Sequence, residues 1–189
     1  MPSTLVVLMG QKRSGKDTVA DRLVTAHGYT RLAFADPLKA AALAINPAIG
    51  AHKLADMVRS YGWERAKTHP EARRFLQNLG VAMRAVDPFI WVRPLASAAA
   101  MIPGPVVVTD CRFANEYGWA VDCSSSLVRI RRPDLVADSA DLHVSEQMAA
   151  DVEGFPAHWT IANTGTIADL HAAADTLANH LVPTLAQSA

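Results

Sequence analysis

The first residues with a candidate chemical role in this chain are Gly10, Gly15 and Lys16. They belong to the segment GQKRSGKDT, residues 10–18, which follows the apolar run of residues 4–9. Glycines let backbone N–H groups converge on phosphate oxygens, and a helix that begins near Lys16 directs its positive end at the same anion. The lysine ammonium would reach the β- and γ-phosphates of a nucleotide. A chance glycine turn is the alternative, but strand, loop and helix patterns in this order favour a phosphate-binding loop.

Asp17 departs from the usual pattern of such loops, in which Ser or Thr follows the lysine and its hydroxyl binds Mg²⁺. A carboxylate also binds Mg²⁺, directly or through water, so the change is compatible with a metal site. Thr18 keeps a hydroxyl at the helix start, within reach of an adjacent phosphate. A plain helix-start acid, favoured by the helix dipole, is the other interpretation of Asp17.

A second reactive group is predicted in VVVTDCRF, residues 106–113. Asp110, at the tip of an apolar strand, is the expected second-sphere magnesium acid. Cys111 and Arg112 follow it, in place of the glutamate that positions water in many ATPases. Arg112 offers a fixed planar cation to an acceptor phosphate or to a transferring phosphoryl group. The sequence therefore favours phosphoryl transfer to an ionised oxygen over hydrolysis, with a structural ion pair as the alternative for Arg112.

Segment 70–86 predicts a helix with two different faces. The polar stripe consists of Arg73, Gln77, Gly80 and Arg84. The opposite, core-facing side consists of Phe75, Leu76, Leu79, Met83 and Val86. Two arginines and an amide around a glycine leave room for a flat anionic ligand, and a solvated surface is the alternative.

The turn FADPLK, residues 34–39, predicts a helix start. Asp36 would be the N-cap and Pro37 the first helical residue. Phe34 and Lys39 would then face the same cleft as the phosphate loop. The alternative is that Phe34 is a core residue and Lys39 a surface residue.

Two segments near the last strands are expected to enclose the nucleotide. RIRRP places Arg129, Arg131 and Arg132 after the fourth strand, which predicts a lid that excludes water from the phosphates. ANTGT follows the last strand and predicts a turn and helix cap beside the adenine, formed by Asn163, Gly165 and Thr166. Plain capping is the alternative for Thr166.

An alternation of short apolar runs and helical patterns must position these groups. The runs are residues 4–9, 31–35, 106–109, 126–130 and 159–162. The helical segments are 16–27, 37–45, 51–67, 70–86, 91–101, 113–121, 143–151 and 166–181. Because strands that are apolar throughout are buried on both faces, we expect an α/β three-layer sandwich with five parallel strands. The long helical stretch before residue 106 predicts an insert over the carboxyl edge of the sheet, where a second substrate would bind.

Composition narrows the function further. The 189 residues fit one domain and carry 18 basic and 18 acidic side chains, and this balance argues against broad nucleic-acid or membrane binding. Cys111 and Cys123 have neither metal nor disulfide-framework spacing, and the N-terminus has no signal-peptide pattern. We therefore expect a cytoplasmic protein that acts on small molecules, and a homodimer is the default expectation.

Five stretches together resemble the phage-type deoxynucleoside monophosphate kinases of the P-loop kinase superfamily. They are GQKRSGKDT, FADPLK, RRFLQNLG…R…DPFIW, VVVTDCRFANE and HVSEQM…WTIANTGT, in this order from residue 10 to 166. The family shares the Gly-Lys-Asp-Thr ending, so by this resemblance Asp17 is a family trait. The chain departs from the family after Gly80, where Val81 and Ala82 replace an expected Thr-Glu pair that bears on base reading.

The resemblance implies a kinase that uses ATP and Mg²⁺ to convert deoxynucleoside monophosphates into diphosphates for DNA precursor synthesis, in the host cytoplasm if the chain is phage-encoded. It implies a P-loop kinase core at residues 1–35 and 104–182, a helical acceptor-binding insert at about 36–103 and a lid at about 129–143. Dephospho-coenzyme A kinase and phosphomevalonate kinase resemble the chain through the same loop and fold. A non-catalytic nucleotide-binding switch is the rival of another class.

The patterns and the resemblance together assign three groups of site residues. The ATP site would contain Gly10, Lys12, Arg13, Ser14, Gly15, Lys16, Asp17, Thr18, Asn163, Gly165 and Thr166. The acceptor site would contain Phe34, Asp36, Lys39, Arg73, Gln77, Arg84 and Trp91, with Asn115 between the substrates. Transfer would depend on Lys16, Asp110, Arg112, Arg129, Arg131 and Arg132, and Asp17 and Asp110 would hold the metal.

Overall fold

The computed structural model describes residues 2–134 and 154–181. Its main sheet contains β1 (Leu5–Met9), β2 (Thr30–Leu32), β5 (Val106–Val108), β6 (Ser126–Arg131) and β7 (Trp159–Ala162). All neighbouring strands are parallel, in the order β2-β5-β1-β6-β7. Each strand falls on one of the five predicted apolar runs, so the predicted α/β class with a five-stranded parallel sheet is confirmed.

Seven helices occur among the described residues. They are α1 (Lys16–His27), α2 (Ala35–Ile45), α3 (Leu54–Ala66), α4 (Pro70–Val86), α5 (Val92–Ala100), α6 (Ala114–Asp122) and α7 (Ile167–Leu181). The predictions for α1 and α4 agree at both ends, and the helix predicted at 143–151 lies outside the described residues. Within the part of the chain that is described, no helix has the length and apolar character needed to cross a bilayer.

The chain divides into two compact units, of which the first contains the described residues of 1–33 and 96–189. Its core lies where the main sheet packs on α1 and α7. Val6 and Leu8 of β1 are fully buried there, together with Leu23 of α1 and Leu177 of α7. All five residues of β1 are buried, as expected for a central strand covered on both faces.

An ion-pair cluster also joins α1 to α7. The Asp175 carboxylate accepts two hydrogen bonds from the Arg22 guanidinium, each 2.8 Å long, and a third contact of 2.7 Å from His27 Nε2. These contacts hold the pKa of the Asp175 carboxyl well below its ordinary value, Arg22 first and His27 second. The cluster therefore fixes α1, which begins at the phosphate-loop lysine.

The second unit contains residues 34–95. A small core is formed by α2, α3 and α4 around Ala42, Leu54, Met57 and Leu76. A short antiparallel hairpin of β3 (Ala48–Ile49) and β4 (His52–Lys53) precedes α3. This hairpin was not predicted, because each strand has only two residues and β4 is polar.

The predicted cap at Asp36 is wrong. Helix α2 begins at Ala35 with Phe34 as its N-cap residue, so Asp36 lies in the first turn. Pro37 is tolerated in that turn because the N–H groups of a first turn have no intrahelical partner to lose. Val86 was expected on the core side of α4 and is instead 82% exposed at the last residue of the helix.

Candidate active site

The phosphate loop has the strained backbone that its glycines predict. Gly10 has φ 139° and Gly15 has φ 106°, and residues that carry a side chain rarely adopt such positive φ values. A Cβ on Gly10 would lie 2.3 Å from the Ile130 carbonyl oxygen of β6. The loop is therefore pressed against the neighbouring strand and accepts no side chain at that position.

The Lys16 side chain folds back and hydrogen-bonds to the backbone of its own loop. Its Nζ donates hydrogen bonds to the carbonyl oxygens of Gly10 (2.8 Å) and Gln11 (2.6 Å), and the side chain is only 7% exposed. An ammonium group held inside a ring of backbone is placed where the phosphates of a nucleotide would meet it. These two contacts thus tie Lys16 to the backbone of the loop.

A cleft of about 350 Å³ opens above the loop. It is lined by Arg13, Gly15, Lys16, Asp17, Thr18, Arg132, Asn163, Gly165, Ile167 and Leu170. The structure thus brings eight of the predicted site residues to one cavity, whose volume is within the usual range for small-molecule sites, roughly 300–1,000 Å³. The other loop residues lie beside it: Gly10 at the strand end, Ser14 buried and Lys12 half-buried.

The turn after β7 is held by a reciprocal cap. Thr166 donates from its backbone N–H and its hydroxyl to Asp169 Oδ2, each at 2.7 Å, and its Oγ1 accepts from the Asp169 N–H at 3.2 Å. These bonds lower the pKa of the Asp169 carboxyl. The predicted cap at Thr166 is confirmed, and Gly165 lies directly before it.

Asp17 is engaged by an arginine that sequence inspection did not select. Arg31 of β2 donates from Nη2 to Asp17 Oδ1, and from Nη1 to Asp21 Oδ1 at 2.9 Å. The Asp17 side chain is 77% exposed at the cleft. Among the described residues its Oδ2 has no hydrogen-bond partner, so one carboxylate oxygen faces solvent or a ligand.

A buried acid organises the turn that carries Asp110 and Arg112. Glu116 is 1% exposed, and its Oε2 accepts from the backbone N–H groups of Arg112 (2.8 Å) and Phe113 (3.2 Å). Burial raises the pKa of the adjacent Cys111 thiol well above its usual value, and the charges of Glu116 and Asp110 add to this effect. Cys111 is therefore an unreactive thiol, and Glu116 fixes the backbone from which Arg112 extends.

The three arginines predicted as a lid occupy different places. Strand β6 extends through Arg131, so the expectation that all three follow the strand is wrong. The Arg129 guanidinium donates to the Phe155 carbonyl oxygen, Arg131 is exposed, and Arg132 lines the cleft. Only Arg132 is placed beside the phosphate loop in the structure, and the predicted lid residues 135–143 lie outside the described residues.

The polar stripe on α4 is half-buried. Arg73, Gln77 and Arg84 are partly exposed, whereas Gly80 is buried. The Gly80 carbonyl oxygen accepts from Arg84 Nη1 and from Trp91 Nε1, both at 3.4 Å, and a Cβ on Gly80 would lie 3.5 Å from Leu38 Cδ2 of α2. A Cβ at this position would thus meet Leu38 at an ordinary contact distance, and Arg84 extends beside it.

The remaining predicted acceptor residues have local partners. Trp91 is 5% exposed and Phe34 is 2% exposed, so both are core residues of their surroundings. Lys39 Nζ lies 3.3 Å from Asp36 Oδ1 across one turn of α2. Asn115 is half-buried at the second residue of α6.

Four residues at the site were missed by sequence inspection, among them Leu170 of α7, which lines the cleft. Glu116 was not indicated by a capping-box pattern, because the N-cap residue of α6 is Phe113, which has no hydroxyl group. Ile167 lines the cleft and is 68% exposed. The sequence signal was its position, since an apolar residue directly after the predicted Thr166 cap lies at the start of the helix beside the cleft. No local sequence pattern indicated Arg31, because it lies on β2 and its partner Asp17 lies on α1.

Two solved structures are similar to this chain in fold. A Thermus thermophilus protein designated TT1252 aligns over 97% of this chain and all of its own length, at 22% identity and a TM-score of 0.51. Dephospho-CoA kinase from Campylobacter jejuni aligns over 94% of this chain and 97% of its own, at 14% identity and a TM-score of 0.49, a match too distant to bear on the substrate. The chain therefore has an α/β fold with a phosphate loop between β1 and α1.

Two comparisons of sequence indicate which proteins this chain resembles. Residues 4–65 match the family model for deoxynucleotide monophosphate kinase. A protein of Acanthamoeba polyphaga mimivirus, provisionally named a deoxynucleotide monophosphate kinase, is 28% identical over 88% of this chain and 92% of its own length. The resemblance to the deoxynucleotide monophosphate kinases is confirmed, and the similarities indicate a kinase.

Proposed function

We propose that the chain transfers the γ-phosphoryl group of ATP to deoxynucleoside monophosphates and so supplies diphosphates for DNA synthesis. The observation that carries this proposal is the phosphate loop with its buried Lys16, in one cleft with Arg132 and Asn163. The match of residues 4–65 to the deoxynucleotide monophosphate kinase model supports the choice of substrate.

The donor nucleotide binds in the cleft of the first unit. Backbone N–H groups of the loop and the ammonium of Lys16 bind the phosphate chain. Ile167 and Leu170 offer the cleft its apolar wall, which suits the flat face of a base. Arg132, from the exposed segment after β6, provides a cation at the same opening.

The residues that would hold Mg²⁺ fit the ion's chemistry. Asp17 offers a solvent-facing carboxylate oxygen at the cleft, and Asp110 follows β5 as a half-buried acid. No group of three or more His, Cys, Asp or Glu side chains among the described residues is arranged to hold a metal. Mg²⁺ commonly binds one or two carboxylates plus substrate phosphates, so this sparse set is sufficient. Bound there, the ion would neutralise charge on the β- and γ-phosphates.

The acceptor binds at the polar edge of α4 in the second unit. Arg73 and Arg84 are half-exposed guanidinium groups on one face, with the Gln77 amide between them. Guanidinium groups bind phosphate through paired N–H donors, and an amide offers both a donor and an acceptor to a base edge. Arg84 is oriented for this by its contact with the Gly80 carbonyl.

In the reaction, an oxygen of the acceptor monophosphate forms a bond to the γ-phosphorus. The bond between the γ-phosphorus and the β,γ-bridging oxygen breaks in line, and ADP leaves with the electron pair. Lys16 and Arg112 stabilise the charge on the transferring group. The nucleophile is already ionised and needs no base, which agrees with the buried state of Glu116, whose Oε2 accepts from the backbone N–H of Arg112.

The test is ADP release from ATP and Mg²⁺ with a panel of acceptors: the four common deoxynucleoside monophosphates, their ribose counterparts, dephospho-coenzyme A, phosphomevalonate and no acceptor. We expect fast release with deoxynucleotides. Release with dephospho-coenzyme A or phosphomevalonate alone would keep the kinase class and reject the acceptor. Slow turnover with every acceptor, together with tight ATP binding, would favour a nucleotide-binding switch.

A further inference from the structure

We infer that Asn163 is a positioning residue of the phosphate loop, so that its loss weakens binding of the phosphate chain itself as well as of the complete nucleotide. Sequence reasoning placed Asn163 beside the adenine, and no contact with the loop was expected. The inference rests on the proposed function, because it takes the cleft to be the ATP site.

The first observation is a hydrogen bond between two residues that are 149 positions apart in the sequence. Asn163 Nδ2 donates to the Ser14 carbonyl oxygen at 2.9 Å. A carbonyl accepts only, so the amide nitrogen must face the loop and the orientation of the amide is fixed by chemistry. Ser14 is 1% exposed, and its carbonyl would otherwise be a poorly hydrated acceptor.

The second observation is steric. A Cβ on Gly15 would lie 2.7 Å from Asn163 Nδ2 and 2.9 Å from Leu170 Cδ2. Gly15 has φ 106° and immediately precedes the lysine. The amide therefore packs against the loop backbone at the residue where the chain turns into α1, and it limits the movement of that turn.

Asn163 is itself held firmly. Its backbone N–H donates to the Arg131 carbonyl oxygen at the end of β6, at 2.7 Å. The chain after it enters the Thr166–Asp169 cap and then α7, whose Leu170 is 5% exposed in the core of the first unit. A side chain fixed at both sides acts as a rigid brace, and a preformed loop binds phosphate without first being ordered.

The rival role is contact with the base. Asn163 lines the cleft, and its Oδ1 has no hydrogen-bond partner among the described residues. A ligand without a base separates the two roles: tripolyphosphate engages the phosphate loop alone, whereas ATP engages the loop and the base wall.

The experiment compares tripolyphosphate and ATP binding by calorimetry in the full chain and in Asn163→Leu, which keeps the side-chain size but has no donor. We expect both ligands to bind more weakly by a similar factor, roughly 2- to 10-fold, as for one lost hydrogen bond. The matched variant is Ile167→Ala, which should weaken ATP and leave tripolyphosphate unchanged. If Asn163→Leu weakens ATP alone, or neither ligand, the inference is overturned.

Asn163→Asp is the second variant in case Asn163→Leu does not fold. Its carboxylate sets an acceptor against the Ser14 carbonyl and should weaken tripolyphosphate more than Asn163→Leu does. Thermal melting without ligand separates loss of fold from loss of loop order, because a positioning role predicts an affinity change larger than the stability change explains. If the unmodified chain binds both ligands and no acceptor accelerates turnover, the proposed transfer fails while this inference stands.

Discussion

The phosphate loop and the polar face of α4 carry the two halves of the proposed reaction, and they are built in different ways. The loop is shaped by backbone: two glycines at positive φ, a lysine bonded to two carbonyls and the Asn163 brace. The α4 face is shaped by side chains that also pack, since Gly80 and Trp91 are buried. A substitution at α4 therefore tests side chains, whereas one at the loop also alters the backbone that would bind phosphate.

The largest expected effect is at the loop. Lys16→Met removes the ammonium that would meet the phosphates, and kcat/KM for ADP release should fall roughly 10²–10³-fold, as when one charge-stabilising donor is lost. The Gly10 and Gln11 carbonyls also lose their donor, so the melting temperature should fall as well. Lys67→Met is the control, because within the described part of the chain Lys67 forms an ion pair with exposed Glu64 of α3 and no other. Turnover within a few-fold of the unmodified chain would contradict the role of Lys16.

The second prediction asks whether the α4 face does more than pack. Gly80→Ala should be neutral or slightly stabilising, because alanine favours helix by about 1 kcal/mol. The new Cβ lies 3.3 Å from Arg84 Nη1, so the guanidinium must move, and KM for the acceptor should rise roughly 2- to 10-fold.

Gly118→Ala in α6 is the matched control for that change. A Cβ there meets nothing within 4 Å, so the variant should gain the same helix propensity and leave KM unchanged. Steady-state kinetics and urea unfolding on both variants give the comparison. If Gly80→Ala changes stability but not KM, the α4 stripe is a packing surface and the acceptor binds elsewhere.

The same contrast explains what could be predicted from the sequence. Gly10–Lys16 was interpretable because glycine and lysine at this spacing after a buried strand have few other uses. Runs apolar on both faces marked β1 and β5, which are buried throughout, whereas β2 and β7 are partly exposed. The α4 stripe was found as a pattern, but the same 3.6-residue period serves both binding and packing, so the burial of Gly80 and Trp91 did not follow from it.

Contacts between distant elements escaped prediction for a different reason. Arg31 with Asp17, Asn163 with Ser14 and Arg129 with Phe155 each join separate elements, and no local pattern encodes such pairs. The cap at Asp36 failed because Asp-Pro is compatible with a helix that begins earlier. Fold and motif are local properties of this chain, whereas the bracing of the site is a tertiary one.

The smallest expected effect concerns the support behind the loop and depends on pH. Asp175 binds Arg22 and His27, and its folded-state pKa is lowered, so the carboxylate contributes stability above its unfolded pKa, about 3.9, and loses it as pH falls below that value. Asp175→Asn should therefore lower the melting temperature at pH 7, and the difference from the unmodified chain should shrink between about pH 5 and pH 3. Asp56→Asn is the control, since its exposed pair with Arg59 on α3 should contribute little at any pH. A difference that stays constant down to pH 3 would show that the cluster does not act through its charge. Lys16 is the first residue of α1, so the ATP affinity of Asp175→Asn should also be measured at neutral pH. Weaker ATP binding would show that the ion-pair cluster stabilises the phosphate loop. Unchanged binding would show that the cluster stabilises the packing of α1 on α7 alone.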